Sequence, residues 1–539
     1  MPRFDLILQG GVVYDGLGNE GRPEDVGVCG DTIVATGDLA AADGPRLDCS
    51  GRAVAPGFID IHNHSDLTAM VNPQAESLVR QGITTAVTGQ CGFSPFPVRA
   101  GQERELDDLC PFIRADVEWT WRATREYLER LAEARPAINI APMVGHSALR
   151  SHVFGFGQGE ASPEQVAAMC RLTEAAFDEG AIGLSFGFGY AVGKFAGADE
   201  VRELCRVAAR RGKHVSFHIR NEGARLLESL DEVIGCARDV AADGDLRLQI
   251  DHLKASGQRW WGKVAPALEK IGAARDDGVD VAFDVYPYTA GSAHLWGALP
   301  GWMTEGGHAA LMARLRDPEY RRRLHEAQEA FDKGEAMAAP FGHSPEHVLI
   351  VGVAPEADQW MVGKRLDEIG AAREVDGIDA AIDLLISGDG YANACFFCMC
   401  DDDVAQAIAH PLGCIGTDGM VFAPYGPLSV GSPHPRSYGT FARFLGKYVR
   451  DEGRLTLPEA IRKCTSLSAE RAGLRDRGAI DVGRKADLVV FDAAGISDTA
   501  TFDEPHRYPT GIGLVVVNGQ IVIDHGDHRG IGAGQVVSH

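Results

Sequence analysis

Three features of the 539-residue chain predict an α/β fold, a (β/α)8 TIM-like barrel with a small β-sandwich domain formed from both chain termini. Both ends are rich in short β-branched runs punctuated by turn residues. The middle alternates strand-like runs with helix-like ones, as parallel βα units do. One interval in that middle is too long for a single crossover and predicts an insertion between barrel strands seven and eight. The expected boundaries are 1–55 and 480–539 for the two parts of the β-sandwich domain. The barrel takes 56–479, with the insertion at about 296–403.

In order along the chain, Leu6-Ile7-Leu8 and Val12-Val13-Tyr14 flank Gly10-Gly11. Gly30-Asp31 then separates Val26-Gly27-Val28 from Thr32-Ile33-Val34. The first barrel strand is expected at Gly57-Phe58-Ile59-Asp60-Ile61-His62-Asn63-His64, whose left half alternates apolar and polar residues. Residues i and i+2 of an extended chain share a face, so His62 and His64 reach one point in space. Further strands are expected at 84–88, 138–144, 181–185, 214–218, 246–252, 279–286 and 414–418. Helical patterns fall between several of them, as at Pro163 to Glu179 and Asp199 to Arg211. Near the C-terminal end, Asn518-Gly519 between two β-branched runs is the strongest short hairpin signal in the chain.

The net charge of −24 argues against nucleic acid or an anionic membrane as partner. The first residues lack the apolar core of a signal peptide, and no apolar run is long enough to span a bilayer. A cytoplasmic location is expected. The 12 cysteines are scattered. Cys395, Cys398 and Cys400 lack a second cluster to complete a zinc site, so buried free thiols are expected there.

The polar residues of interest sit at the C-terminal ends of the expected strands, where barrel active sites lie. Strand one ends in His62 and His64, and the loop after strand two carries Cys91. Strands five, six and eight end in His218, His252 and Asp418. Nitrogen, sulfur and oxygen donors together suit zinc better than magnesium or calcium, which want oxygen. Taken singly, each has an ordinary explanation. A lone Cys beside glycines is usually a small buried residue, a lone His a satisfied core residue, and Asp418 before Gly419 a turn. Their joint placement on strand ends argues for one site.

These residues carry a resemblance. The stretches 56–64, 82–92, 180–185, 218–223 and 252–254 resemble the amidohydrolase superfamily and, within it, the N-acyl-D-amino-acid deacylase (D-aminoacylase) family. Tyr286-Pro287-Tyr288-Thr289-Ala290-Gly291-Ser292, Ile415-Gly416-Thr417-Asp418-Gly419 and His434-Pro435-Arg436 continue the match in the family's order. The resemblance implies a zinc ion held tightly by Cys91, His218 and His252. It also implies a weaker second position on His62, His64 and Asp418, with the cysteine able to bridge. The family's carboxylate-binding lysine, tyrosine and serine fall on Lys254, Tyr286 and Ser292. The implied reaction is attack of metal-bound hydroxide on the amide of an N-acyl-D-amino acid, with Asp418 as general base and acid. The implied partner is a small substrate with a free carboxylate.

Two departures stand out. Gln90 replaces the asparagine common before the family cysteine. The Gly-, Pro- and Ser-rich segment from Met420 to Pro433 is longer than the family pattern and is expected to reshape the pocket beside Asp418. Arg436 could hold an acidic substrate side chain, but within its His-Pro-Arg motif it reads as structural. Two alternatives remain in view. Cleavage of a D-residue dipeptide or of a cyclic amide such as a hydantoin would keep the barrel and the metal, although the Lys254, Tyr286 and Ser292 trio favours an open chain with a free carboxylate. A catalytically dead barrel would have lost a ligand or Asp418, and none is missing.

Overall fold

The computed structural model describes residues 3–538 apart from 102, 104, 105, 107–114, 156, 158 and 191. Parallel strands form two sheets. Phe58–Asp60, Ile83–Thr88 and Asn139–Pro142 make the first. Val144–Gly145, Gly183–Gly187, His214–His218, Arg247–Ile250, Val281–Val285 and Gly413–Ile415 make the second, each parallel to the next. Only Met143 separates the last strand of one sheet from the first strand of the other, and its N–H donates to the Thr88 carbonyl at 2.9 Å. The expected run 138–144 is therefore one strand broken by a kink.

Backbone contacts link the segments that follow the first and last parallel strands. Asn63 and Gly419 form a parallel bridge. The Asp418 N–H donates to the His62 carbonyl, and the His64 N–H to the Gly419 carbonyl, both at 2.8 Å. These bonds carry His62 and His64 to Asp418.

The parallel strands are buried on both faces, one apolar and the other carrying buried polar residues such as Ser185, Ser216 and Gln249. Leu184, Phe186, Val215, Phe217, Leu248 and Ile250 are all fully buried. The covering helix Pro163–Glu179 starts where expected. Ser162 caps it, accepting from the Gln165 N–H, and Pro163 fills the first helical position, where a missing N–H costs nothing. Its buried residues Val166, Met169, Thr173, Ala176 and Phe177 follow helical spacing on one face. Ala198–Arg210 matches the second expected helix to within a residue.

Strands from both termini share one nine-stranded sheet. Leu488–Phe491 pairs antiparallel with Ala53–Pro56, joining the two ends of the chain. The hairpin at Asn518-Gly519 forms as expected, with Val517 opposite Gln520. Both turn residues have positive φ, 47° and 77°, as a type I′ turn requires. Glycine is also needed for space, since a Cβ at Gly519 would lie 1.9 Å from the Gly30 carbonyl oxygen.

Between Val285 and Gly413 lies a separate antiparallel sheet of Gly291–His294, Val348–Val353 and Ala392–Phe396. It has its own apolar cluster, which includes Leu311, Leu324, Ile350, Ile382 and Leu385. The sheet begins upstream of Trp296, because the chain turns into it directly after Tyr288. Cys395 and Cys398 are buried free thiols, and Cys400 is a half-buried one. Among the described residues, no helix is long and apolar enough to cross a membrane.

Candidate metal centre

The six residues expected as donors meet at the C-terminal ends of the parallel strands. Cys91 Sγ lies 3.4 Å from His62 Nε2, 3.5 Å from His252 Nε2 and 3.7 Å from His218 Nδ1. Sulfur at 2.3 Å and nitrogen at 2.0–2.1 Å from a tetrahedral zinc stand about 3.5 Å apart, so the spacing fits one ion among these donors. The donor atoms of Cys91, His218 and His252 all lie within 4.8 Å of one another, as do those of His62, His64 and Cys91 and those of His62, His252 and Asp418. Asp418 Oδ1 is 3.1 Å from His64 Nε2 and 3.6 Å from His62 Nε2.

The backbone is strained where these side chains turn inward. Cys91, His252 and Asp418 adopt left-handed φ values of 54°, 33° and 47°. Residues with a Cβ are held there only when surrounding structure fixes them, and such positions cluster at functional sites.

The electrostatics favour a cation. Burial pushes His218 down to about 3 and His252 well below the imidazole range, so both are neutral with a lone pair to offer. Burial also opposes charge on His62, yet Asp284, Cys91 and Asp251 outweigh it and hold that ring well above the usual range. The ionised Asp284 carboxylate lies against His62 Nδ1 at 3.0 Å. Burial pushes the Cys91 thiol up, with His62 pulling the other way. A metal ion would reverse that balance and deprotonate it. At Asp418 burial opposes ionisation, but Arg436, His62 and His64 outweigh it and hold the carboxyl well below the carboxylate range.

The three residues expected to hold a substrate carboxylate divide. Tyr286 is buried beneath Arg436, whose guanidinium carbon lies 4.9 Å from the ring centroid. The Ser292 carbonyl accepts from Arg436 at 3.4 Å. Lys254 has other partners, with Nζ 2.6 Å from Glu222 Oε1 and 2.8 Å from His252 Nδ1, and its charge also acts on the Tyr286 phenol.

Comparison with known proteins then decides the family, because the sequence pattern of the amidohydrolase family matches residues 47–523. The chain belongs to the amidohydrolase family. It is 36% identical to the D-aminoacylase of Alcaligenes xylosoxydans xylosoxydans, over 99% of this chain and 98% of that protein. A D-aminoacylase structure, solved to define the role of its binuclear metal centre, superposes with a TM-score of 0.82 at 34% identity. That match covers 99% of this chain and all of that one. The N-acyl-D-glutamate deacylase of Bordetella bronchiseptica, complexed with zinc and a phosphonate mimic of the tetrahedral intermediate, also gives 0.82, at 31% identity with both chains fully covered. The chain is accordingly a metal-dependent amidohydrolase of the D-aminoacylase type.

Three carboxylates of this amidohydrolase were not singled out from its sequence. Asp284 Oδ1 lies 3.0 Å from His62 Nδ1, which turns Nε2 toward Cys91. Asp251 lies beside it, with Oδ1 buried, 3.8 Å from His62 Nδ1 and without a hydrogen-bond partner. Burial opposes ionisation of both; His62 wins at Asp284, whereas burial wins at Asp251. Glu222 Oε1 lies 2.9 Å from His252 Nδ1. Lys254 Nζ hydrogen-bonds the same nitrogen at 2.8 Å; for His252 to present its Nε2 lone pair to a metal, Nδ1 must carry the proton, and Glu222 is the carboxylate within reach of it. A sequence signal for Asp284 exists, a carboxylate inside the otherwise apolar run Val281–Val285.

Two cavities flank the metal centre of the amidohydrolase. One of about 180 Å³ is lined by His64, Tyr190, Ser292, Asp418 and Arg436. Its walls include Met420, Phe422, Leu428 and Val430, so the long segment after Asp418 does shape the pocket. The other, of about 530 Å³, opens on the His218 and Glu222 side. Arg436, read from sequence as structural, ties its NH1 group to Asp418 Oδ2 at 2.7 Å.

Proposed function

We propose that this amidohydrolase cleaves N-acyl-D-amino acids to a carboxylate and a free D-amino acid, with zinc as its metal. The observation that carries the reading is one thiol within 3.4–3.7 Å of three imidazole nitrogens, with Asp418 against the same rings. In this reading the eight parallel strands close into a (β/α)8 barrel through the Asn63–Gly419 bridge. The terminal sheet folds over itself as the β-sandwich, in keeping with Leu8, Val28, Val54, Leu488 and Val516 sharing one apolar cluster.

Cys91, His218 and His252 would hold the tighter zinc, and His62, His64 and Asp418 the second position, with Cys91 available to both. Zinc bound there lowers the pKa of water to about 7 and polarises an amide carbonyl. Asp418 takes the proton of the attacking water at Oδ1. Held ionised by Arg436, it is free to accept, and for the same reason it gives the proton up readily to the leaving nitrogen. Tyr286, whose phenol is pushed up by burial, stays a hydrogen-bond donor. Tyr286, Ser292 and Lys254 would hold the substrate α-carboxylate, with Lys254 sharing its charge with Glu222. With carboxylate and carbonyl both fixed, one hand of the α-carbon places its side chain in the smaller cavity.

The test is amine release from paired N-acetyl-D- and N-acetyl-L-amino acids by zinc-loaded enzyme, with hydantoin and D-residue dipeptides alongside. Turnover of the D-series alone is expected. Activity confined to hydantoin or dipeptides would overturn the substrate assignment.

A further inference from the structure

We infer that the cavity on the His218–Glu222 side receives the acyl arm of the substrate and accepts uncharged acyl groups far larger than acetyl. This inference rests on the deacylase reading and adds to it the class of acyl group.

A trans amide sends its two substituents away from each other. The amino-acid arm carries the carboxylate and the side chain on one carbon, so both must enter the same side. Arg436 and Ser292 line the smaller cavity. The larger one suits a carboxylate less, because Asp332 and Glu346 line it, together with Glu222, whose charge Lys254 meets at 2.6 Å. Its two guanidinium groups are committed elsewhere. Arg220 is spent on Glu232 and the Lys194 and Ala196 carbonyls, and Arg259 on the Phe331 and Ala336 carbonyls. The carboxylate arm therefore goes to the smaller cavity and the acyl arm to the larger.

Size and wall chemistry define that arm. An acetyl methyl fills on the order of 30 Å³, about one water's share of the liquid, against about 530 Å³ available. Trp260, Phe331, Met337 and Phe397 give the cavity apolar stretches within a wall that also carries Asn221, Gln258 and Ser344. His343, on the same wall, is kept neutral by burial. The cavity reaches the metal centre at His218, where Gly189 is required, since a Cβ there would lie 2.6 Å from His218 Nε2. Medium-chain and arylacyl groups match this space.

The experiment uses zinc-loaded enzyme with N-acetyl-, N-octanoyl- and N-phenylacetyl-D-leucine. The kcat/KM is expected to rise at least tenfold from acetyl to octanoyl, mainly through KM. Ser344→Trp, placed in the cavity wall, should erase most of that rise. Trp260→Ala should reduce it several-fold, and serves if the first variant melts early. Acetyl turnover with a flat acyl series would overturn this inference alone. So would variants that alter discrimination among D-side chains instead of acyl groups. No turnover of any N-acyl-D-amino acid would overturn the deacylase reading and this inference with it.

Discussion

The floor and the walls of the active site are built differently. The floor consists of side chains at parallel strand ends. His62, Cys91 and His252 are 0%, 1% and 3% exposed; the His62 carbonyl accepts from the Asp418 N–H and the His252 N–H donates to Asp284 Oδ1, both at 2.8 Å. The walls come from the segment after Asp418 and from the region between the seventh and eighth parallel strands. There Val430 and Met337 are 66% and 65% exposed. Chemistry is thus held by the sheet, while substrate fit is left to loops that can change without moving a metal ligand.

The sharpest way to break the comparison is to damage the floor. Cys91→Ala removes the donor common to two of the ligand groups. Bound zinc, measured by elemental analysis, should fall well below the wild-type content, with activity down at least a thousandfold. Near-wild-type zinc and turnover would show that the thiol is a bystander. Asp418→Asn should lower kcat by about 10²–10⁴, the usual worth of a positioned acid–base group, while leaving zinc on Cys91, His218 and His252. The same change leaves the buried Arg436 without its counter-charge, which costs about 3–5 kcal/mol of stability and should appear as a lower Tm. A kcat within tenfold of wild type would remove Asp418 from the proton path.

The floor was legible in the sequence because each donor lies at or just beyond a strand end, Cys91 in the loop after Ile83–Thr88, and is of a distinctive type. His62, His64, Cys91, His218, His252 and Asp418 all arrive where strand counting placed them. The residues that orient the donors were not legible. Asp284 meets His62 across 222 positions of sequence, and only the strand order makes them neighbours. Arg436 looked structural because its partner Asp418 is set by a loop path, not by periodicity. The kink at Met143 does carry a local signal in Pro142, which cannot donate to a ladder, whereas the cavities depend on segments whose folding over the strand ends no local pattern encodes.

A smaller effect is expected one step outside the floor. Glu222→Gln removes the carboxylate within reach of His252 Nδ1 and the partner of Lys254. Zinc affinity should fall about 10–100-fold, the usual loss when the partner of a ligating histidine is removed. Competition with a metal-sensitive dye measures it. An unchanged zinc affinity would mean that Lys254 or a solvent contact sets the tautomer of His252 instead.

The smallest effect belongs to the wall and concerns pH. Burial pushes His343 down to about 4, against about 6.5 for an unfolded histidine. Between those values the unfolded chain takes up a proton that the folded chain refuses. The contribution of His343 to stability is therefore complete above pH 6.5 and is lost as pH falls toward 4. The ring is half-buried, with Nε2 3.5 Å from Ser256 Oγ, so water screens part of the penalty. His343→Gln should reduce the Tm loss between pH 7 and pH 5 by about 1–2 °C, given the shallow Tm response of a chain this long. The metal centre should be indifferent to this change, with zinc content unaltered at pH 7. An unaltered pH profile would place the ring in open solvent and weaken the case for a closed apolar wall. A loss of zinc at pH 7 would do more damage, since it would tie the wall to the floor and dissolve the distinction between them.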